Sequence, residues 1–453
     1  MVQLNTPLRV RGRWFLISVL VGVAGLGMVW ITPSSGEEKD IRVLSREEAL
    51  KIALEKNKDI LKAREYKKSV EGRYVEERSA ALPQLTLNGN IVRDRDDSFK
   101  KILNGLFPPE KETRLGQVVL SQPLYTFGRV AAAIRAAKIG LSTAEDQLRI
   151  FQQAALRDVS AAFDDVLLAK ELHAISVQNL DQKARLLDEA RRKYAAGTAT
   201  DYDVLAAEVA VENARPQVIR SENLIQVSRE KLRYLLGIEK EEVDVTGTLD
   251  TPITPFPSYD QGVEIAWRNR PDLSDLQKRI GISTQLVNIY DAGDKPRVDF
   301  QASYGWKDIN YINAARGDGQ VWSAGLFLTF PFFDGMRSRG KTAQAQSDLR
   351  TLKIDEAKLK DSIALQVRDA VNACRESEEI LNAISGTVKR SERLLKMAEK
   401  GYEFGVKTKL DVDDAQLNVN EAKGNLARAH RDYSVARVTL DWVMGTITVK
   451  TSQ

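Results

Sequence analysis

The chain is 453 residues long, 43% hydrophobic and 29% charged, which excludes a polytopic helical membrane protein and a disordered chain. Its 67 basic and 63 acidic residues leave a net charge of +4, a balance that gives no case for a nucleic-acid binder. One cysteine, Cys374, and two histidines, His173 and His430, exclude an intrachain disulfide framework and leave little for a metal site or an acid–base pair.

At the N-terminus Arg9, Arg11 and Arg13 precede an apolar run from Trp14 to Ile31, followed by Thr32-Pro33-Ser34-Ser35-Gly36. A basic region, an apolar region and a small-residue exit, in that order, predict a secretory signal over residues 1–36 and an exported chain. The alternative is an uncleaved anchor, because the run is close to the minimum of about 17 residues that spans a bilayer.

The first helix is expected over Ser45–Leu82, with Ser45 and Glu48 forming a capping box and Pro83 ending it. Strands at about 84–95 and 113–122 follow; in the first, Leu85, Leu87 and Ile91 alternate with Thr86, Asn88 and Asn90. A long helix over Gly128–Ala195 turns into another over Thr200–Leu236, which stops at Gly237. A proline-containing linker occupies 239–257. Then helix 258–293, strands at about 297–309 and 320–330, helices 336–402 and 409–444, and a tail at 447–453 repeat the order. Val298, Phe300, Ala302, Tyr304 and Trp306 fall on one strand face, Asp299, Gln301, Ser303 and Gly305 on the other. Trp322, Ala324, Leu326 and Leu328 share a face of the returning strand.

Two constant shifts make the chain a tandem repeat of 43–238 and 258–446. A shift of 213 takes Ala53 to Ala266 and Pro83 to Pro296. A shift of 208 takes Pro123 to Pro331, Tyr194 to Tyr402, Gly197 to Gly405, Asp203 to Asp411 and Gly237 to Gly445. The long helices carry heptad seams, Val159, Val166, His173, Leu180, Leu187, Tyr194 and Val367, Cys374, Leu381, Val388, Leu395, Tyr402, the spacing of coiled-coil packing. His173 and Cys374 are therefore assigned to packing, and His430 to the surface. Pro216 and Gly424 lie 208 apart inside third helices, where a bend or break is expected.

At ~1.5 Å per residue the long helices approach 100 Å, too long to cover a soluble sheet compactly. Strands of about ten residues with one apolar face suit an outer-membrane barrel, with Tyr304, Trp306, Tyr311 and Trp322 as an interfacial girdle. Four strands cannot close such a barrel, and open edges in lipid are costly, so several chains must share one: eight strands for a dimer, twelve for a trimer. Twelve leave room for a conduit, whereas eight are filled by side chains. The fold class expected is α+β, a twelve-stranded trimeric barrel continuous with a long coiled-coil helical barrel.

The paired repeats, the junctions Ser121-Gln122-Pro123-Leu124-Tyr125-Thr126-Phe127-Gly128-Arg129 and Phe330-Pro331-Phe332-Phe333-Asp334-Gly335, and the turns Tyr194-Ala195-Ala196-Gly197-Thr198 and Tyr402-Glu403-Phe404-Gly405-Val406 resemble those of the TolC-like outer-membrane efflux proteins. The resemblance spans about 43–446. It implies a homotrimeric duct through the outer membrane and across the periplasm, docked through a periplasmic adaptor onto an inner-membrane pump for efflux or type I secretion, without catalysis or cofactor. It places adaptor contacts at Gly197, Thr198, Ala199, Thr200, Gly405, Val406, Lys407 and Thr408. It places a periplasmic gate at Asp203, Tyr402, Lys407, Asp411 and Asp414. Lys407 stands where the family prototype has arginine, and lysine lacks the bidentate fork. The other reading is a periplasmic coiled-coil adaptor or scaffold held by an uncleaved N-terminal helix, which leaves the four amphipathic strands without a purpose. An enzyme finds no support in the motifs: there is no Gly-rich phosphate loop, nucleophile elbow or HExxH helix.

Overall fold

The computed structural model describes residues 41–97, 109–239, 241–312 and 315–448. The signal segment, the tip of the first strand hairpin and the last five residues lie outside that set.

Helix formation follows the capping chemistry in the sequence. Strand β1 (Ile41–Leu44) leads into α1 (Arg46–Lys56), whose N-cap Ser45 exchanges hydrogen bonds with Glu48. The single first helix expected from the sequence is two helices. Asn57 is extended, with φ −56° and ψ 128°, and its side-chain oxygen accepts from the amides of Asp59 at 3.0 Å and Ile60 at 3.2 Å, starting α2 (Lys58–Ser79) afresh. The second half breaks at the equivalent place. There α5 (Tyr259–Asn269) ends at Arg270, because Pro271 opens α6 (Pro271–Asp291) and disfavours the helical region for the residue before it.

Strands β2 (Gln84–Arg95) and β3 (Glu110–Tyr125) form a hairpin, as do β5 (Arg297–Tyr311) and β6 (Arg316–Thr329). β3 pairs antiparallel with β5, so both hairpins join one four-stranded sheet in the order β2-β3-β5-β6. After each hairpin comes a 67-residue helix, α3 (Arg129–Ala195) and α7 (Arg337–Glu403). At ~1.5 Å per residue each is about 100 Å long. They return through α4 (Asp201–Leu236) and α8 (Lys409–Val443). The break expected at Pro216 and Gly424 does not occur. Pro216 lies on the exposed side of α4, where the carbonyl it leaves unbonded meets water, and the helix runs through it. Gly424 is buried where α8 crosses α3: a Cβ there would stand 3.7 Å from Leu172. Among the described residues no helix is long and apolar enough to cross a membrane.

Two hydrophobic cores sit where the short helices meet the long ones. In the first, Val159, Phe163 and Val166 of α3 pack on Ala49, Ile52, Leu232 and Leu236. In the second, Val367, Val371 and Cys374 of α7 pack on Val263, Ala266, Leu440 and Met444. Cys374 is fully buried, and burial pushes its thiol up to about 11, as suits a small apolar packing group. His173, on the same seam as Val166, is half-buried with its Nδ1 3.0 Å from Ser221 Oγ. The stretch 239–257 is not a bare linker: β4 (Glu242–Val245) pairs in parallel with β1 and adds Val243 and Val245 to the first core. His430 is not a surface residue: it is half-buried, its buried Nδ1 3.9 Å from Asp250 of that linker.

Each helix break is clasped by a glycine at the end of a later helix. Gly237 and Gly445 have φ of +71° and +70°, and a Cβ at Gly237 would lie 2.3 Å from the Lys56 carbonyl oxygen. At Gly445 it would lie 2.9 Å from Asn269 O. Both substitutions Gly237→Ala and Gly445→Ala are therefore expected to destabilise the fold by about 1–3 kcal/mol through backbone strain and displacement of the break. Gly72→Ala, in a helix interior with open space around it, is expected to be neutral or stabilising. Thermal melts followed by helical circular dichroism distinguish them; equal midpoints for Gly237→Ala and Gly72→Ala contradict the clasp.

Candidate functional site

Two surfaces stand out, one on the sheet and one at the far ends of the helical hairpins. On the sheet, the register lines up whole rows across four strands. Leu85, Leu120, Ala302 and Ala324 form one row, and Leu87, Val118, Tyr304 and Trp322 the next. Phe300 and Leu326 pair on the same face. The rows of the opposite face are polar, as in Gln84, Ser121, Gln301, Gly325 and Asn88, Gln117, Gly305, Val321. The apolar face is exposed, with Leu87 79% and Trp322 76% accessible; on the opposite face Gln84, Asn88 and Gln301 are exposed and Gln117 and Ser303 half-buried. Burial of apolar area is the main favourable term in folding in water, so a face of this kind is suited to a medium other than water. Below it, at the strand–helix junctions, Tyr125, Phe127, Phe330, Phe332 and Phe333 are exposed as well. Of the girdle residues expected, Tyr304, Trp306 and Trp322 are exposed on the apolar face.

At the other end, the two turns have the same build. Gly197 and Gly405 take left-handed φ of +76° and +73°, which ends the long helix and redirects the chain. Thr198 Oγ1 donates to Lys193 O at 3.0 Å, and the amides of Val406 and Lys407 donate to Gly401 O. Ala199 is half-buried, whereas Phe404 and Val406 are exposed. Thr200 and Thr408 are N-caps, and Asp203 and Asp411 are their capping partners. Asp203 accepts from Thr200 N at 2.9 Å and Thr200 Oγ1 at 2.7 Å; Asp411 accepts from Thr408 N and Oγ1, both at 2.8 Å. These bonds hold both carboxyls below the usual aspartate range, the backbone bond contributing most. Lys407 reaches Asp411 at 3.2 Å, one turn along its own chain. Asp414 lies on the exposed face of α8 with Leu410 and Leu417.

The structure brings Tyr402 to a residue the sequence did not single out. Lys193 Nζ stands 5.1 Å over the Tyr402 ring, joining the end of α3 to the end of α7, and is itself held by Glu189 at 2.8 Å. Further along, Asn420 donates to Asn179 at 3.0 Å and accepts from Gln416 at 2.9 Å, and Gln182 donates to Glu399 at 3.3 Å. The Asn420–Asn179 and Gln182–Glu399 bonds cross between the two hairpins. Lone polar residues on facing helices carry no sequence motif, and only the spacing of Gln416 and Asn420 by one turn signals that they share a side. Among the described residues no group of three or more His, Cys, Asp or Glu side chains is placed to hold a metal ion.

The family described as outer membrane efflux protein matches residues 49–238 and 263–446, one match in each half. The chain belongs to the outer membrane efflux protein family. Among curated relatives, the outer membrane protein TolC of Vibrio cholerae serotype O1 is 24% identical over 382 residues, covering 82% of this chain and 83% of the relative. The alkaline protease secretion protein AprF of Pseudomonas aeruginosa is 23% identical over 380 residues, covering 82% and 78%. Among solved structures, the outer membrane protein VceC of Vibrio cholerae superposes with a TM-score of 0.73 at 17% identity, over 88% of this chain and 96% of that one. A membrane protein from Pseudomonas aeruginosa gives 0.75 at 22%, over 88% and 93%. These superpositions establish a shared fold. Membership of the outer membrane efflux family accounts for the exposed apolar sheet face, which is a surface for an outer-membrane protein, and the family consists of channel proteins rather than enzymes.

The two capping carboxylates predict the pH response of the tips. Their folded pKa lies below the usual value of 3.8, so their contribution is complete above that value and is lost as pH falls through the lowered one. Hydrogen exchange of residues 200–204 and 408–412, corrected for intrinsic rate, is expected to be equally protected at pH 7 and pH 5 and less protected near pH 2–3. Asp203→Asn is expected to give the low-pH behaviour of the first tip at pH 7. Protection that does not change in either comparison contradicts the assignment.

Proposed function

We propose that three copies of this chain close their four-stranded sheets into one twelve-stranded barrel in the outer membrane, and that their helices form the periplasmic tube of an efflux or secretion duct. The observation that carries this reading is the sheet itself: an exposed apolar face on one side, and edge strands β2 and β6 each paired on one side only. In hydrocarbon each unpaired backbone group costs several kcal/mol, so the edges require partners, and β6 of one copy meeting β2 of the next supplies them. The polar face then lines the lumen. Mass measurement of the detergent-solubilised protein tests the stoichiometry; three chains per particle is the expected result, and a monodisperse monomer with intact strands overturns it.

The facing is tested by charge. Leu326→Arg places a guanidinium on the lipid side, where it costs about 2–4 kcal/mol near mid-depth, whereas Gln301→Arg points into the lumen. Leu326→Arg is expected to lower the yield of assembled particles in membranes severalfold, and Gln301→Arg to leave it near wild type. Equal yields reverse the facing.

In this reading the tips dock a periplasmic adaptor that couples the tube to an inner-membrane pump, through Gly197, Thr198, Ala199, Thr200, Gly405, Val406, Lys407 and Thr408. Exposed Phe404 and Val406 beside the polar caps support a docking role, since such apolar tips gain by being covered. Brought together around a threefold axis, Asp203, Tyr402, Lys407, Asp411 and Asp414 form the narrow end that gates passage. Asp203 and Asp411 act there as rigid cap carboxylates, and Tyr402 is steadied by Lys193. Asp414 is the acidic ring on the exposed face of α8. Asp411→Ala with Asp414→Ala is expected to reduce cation selectivity in planar bilayers, and Tyr402→Phe with Asp203→Ala to raise single-channel conductance. Unchanged values in both variants remove these residues from the gate.

A further inference from the structure

The apolar face of the sheet has a gap. Between the row of Leu87, Val118, Tyr304 and Trp322 and the row of Ile91, Arg114, Asp308 and Asp318 lies a row of Gly89, Gly116, Trp306 and Gln320. Gly89 and Gly116 are directly opposite each other, so two adjacent strands present no side chain there. The sheet does not require glycine at either position: neither has a left-handed φ, and a Cβ at either would meet nothing within 4 Å. Glycine in a strand interior weakens it, and its other use is to let something approach the backbone closely. The result is an open groove of about 640 Å³, floored by the two glycines and lined by Ile91, Arg114, Trp306, Asp308, Arg316 and Asp318.

The groove is amphiphilic along the strand direction. Trp306 lines its lower end, and its upper rim carries the guanidinium groups of Arg114 and Arg316 beside the carboxylates of Asp308 and Asp318. Arg114 is oriented by Glu112 at 2.7 Å, and Arg316 by a two-point bond to Asp308 at 3.0 and 2.8 Å. These pairs leave part of each guanidinium's five donors for another acceptor. In register Arg114 stands two residues beyond Trp306, about 7 Å further along the strand, and Arg316 four residues beyond, from where it reaches back to Asp308. The rim is also at the end of the sheet away from the helices, which in the channel reading is the outer leaflet. A level just past the aromatic girdle is where lipid headgroups stand.

We propose that this groove binds a phosphorylated lipid of the outer leaflet, with an acyl chain over Gly89 and Gly116 against Trp306 and a headgroup phosphate on Arg114 and Arg316. The proposal rests on the lipid-facing reading of the apolar sheet face. Guanidinium is suited to phosphate because its fork matches two phosphate oxygens, and the flat glycine floor admits a chain that a filled apolar row excludes.

The test uses the full-length protein, purified in detergent and stripped of lipid, and titrated with diphosphorylated lipid A, its dephosphorylated counterpart, or inorganic phosphate, with bound mass read by native mass spectrometry. The diphosphorylated lipid is expected to bind, and the dephosphorylated lipid and inorganic phosphate to bind at least about tenfold more weakly, the factor lost with a charge-assisted contact. Arg114→Gln is expected to remove the preference for phosphate. Gly116→Leu, whose Cβ meets nothing within 4 Å, is expected to weaken both lipids without lowering the thermal midpoint. Equal binding of the two lipids by wild type, or undiminished binding in Gly116→Leu, overturns the proposal. Conductance of the same preparations in planar bilayers reports on the channel reading separately: a conducting wild type without lipid preference sinks this inference alone.

Discussion

The outer edges of β2 and β6 are rows of backbone amides and carbonyls with a sheet neighbour on one side only. In water such an edge is tolerated; in hydrocarbon it is not. The rest of the molecule is arranged around this constraint. β3 and β5 join the two halves at the centre of the sheet, so each half contributes one hairpin and one edge. Apolar rows such as Leu120 with Ala302 and Val118 with Tyr304 run across the β3–β5 seam, so the two halves share one register. The long helices α3 and α7 follow β3 and β6 in the chain.

Stability comes from elsewhere. The two cores lie midway along the long helices, around Val159, Val166, Val367 and Cys374, where three helices of the first half and four of the second come together. A buried carboxylate fastens this level further: Asp164 is fully buried against Arg46 of α1 and accepts from Ser434 of α8 at 2.7 Å, and burial raises its pKa despite the arginine. Neighbouring Asp165 holds Lys231 at 2.9 Å and Arg431 at 2.7 Å. Adjacent residues of α3 thus tie it to three other helices. Toward the tips the helices are held by the Asn179–Asn420 bond, the Lys193–Tyr402 pair and a smaller core of Ala398, Val412 and Ala415.

Much of this was legible in the sequence because it rests on local periodicity. The two 67-residue helices follow from heptads without proline, and the strands from clean alternation such as Val298 to Trp306. The shift of 208 paired Gly237 with Gly445, but their shared role, clasping a helix break, needed the folded chain, because each glycine touches a residue about 180 positions earlier. The breaks themselves were missed since Asn57 is a mid-propensity residue inside a good helical pattern, and only its cap bonds reveal it. Pro216 does not interrupt α4: it lies on the exposed side of the helix, where a missing backbone hydrogen bond costs least. The tip residues were named from resemblance, whereas the contact of Lys193 with Tyr402 arises through tertiary packing that no spacing encodes.

The parallel pairing of β1 with β4 sets an order of events. Ile41 lies opposite Glu242, so this four-residue ladder closes a loop of about two hundred residues. Closing so long a loop is entropically slow, and its contacts reward the chain only once the intervening strands and helices are in place. The residues of β1, made before those they pair with, are therefore among the last to find their partner. Until the whole first half has emerged, Leu44, which ends in the core, has nowhere to go.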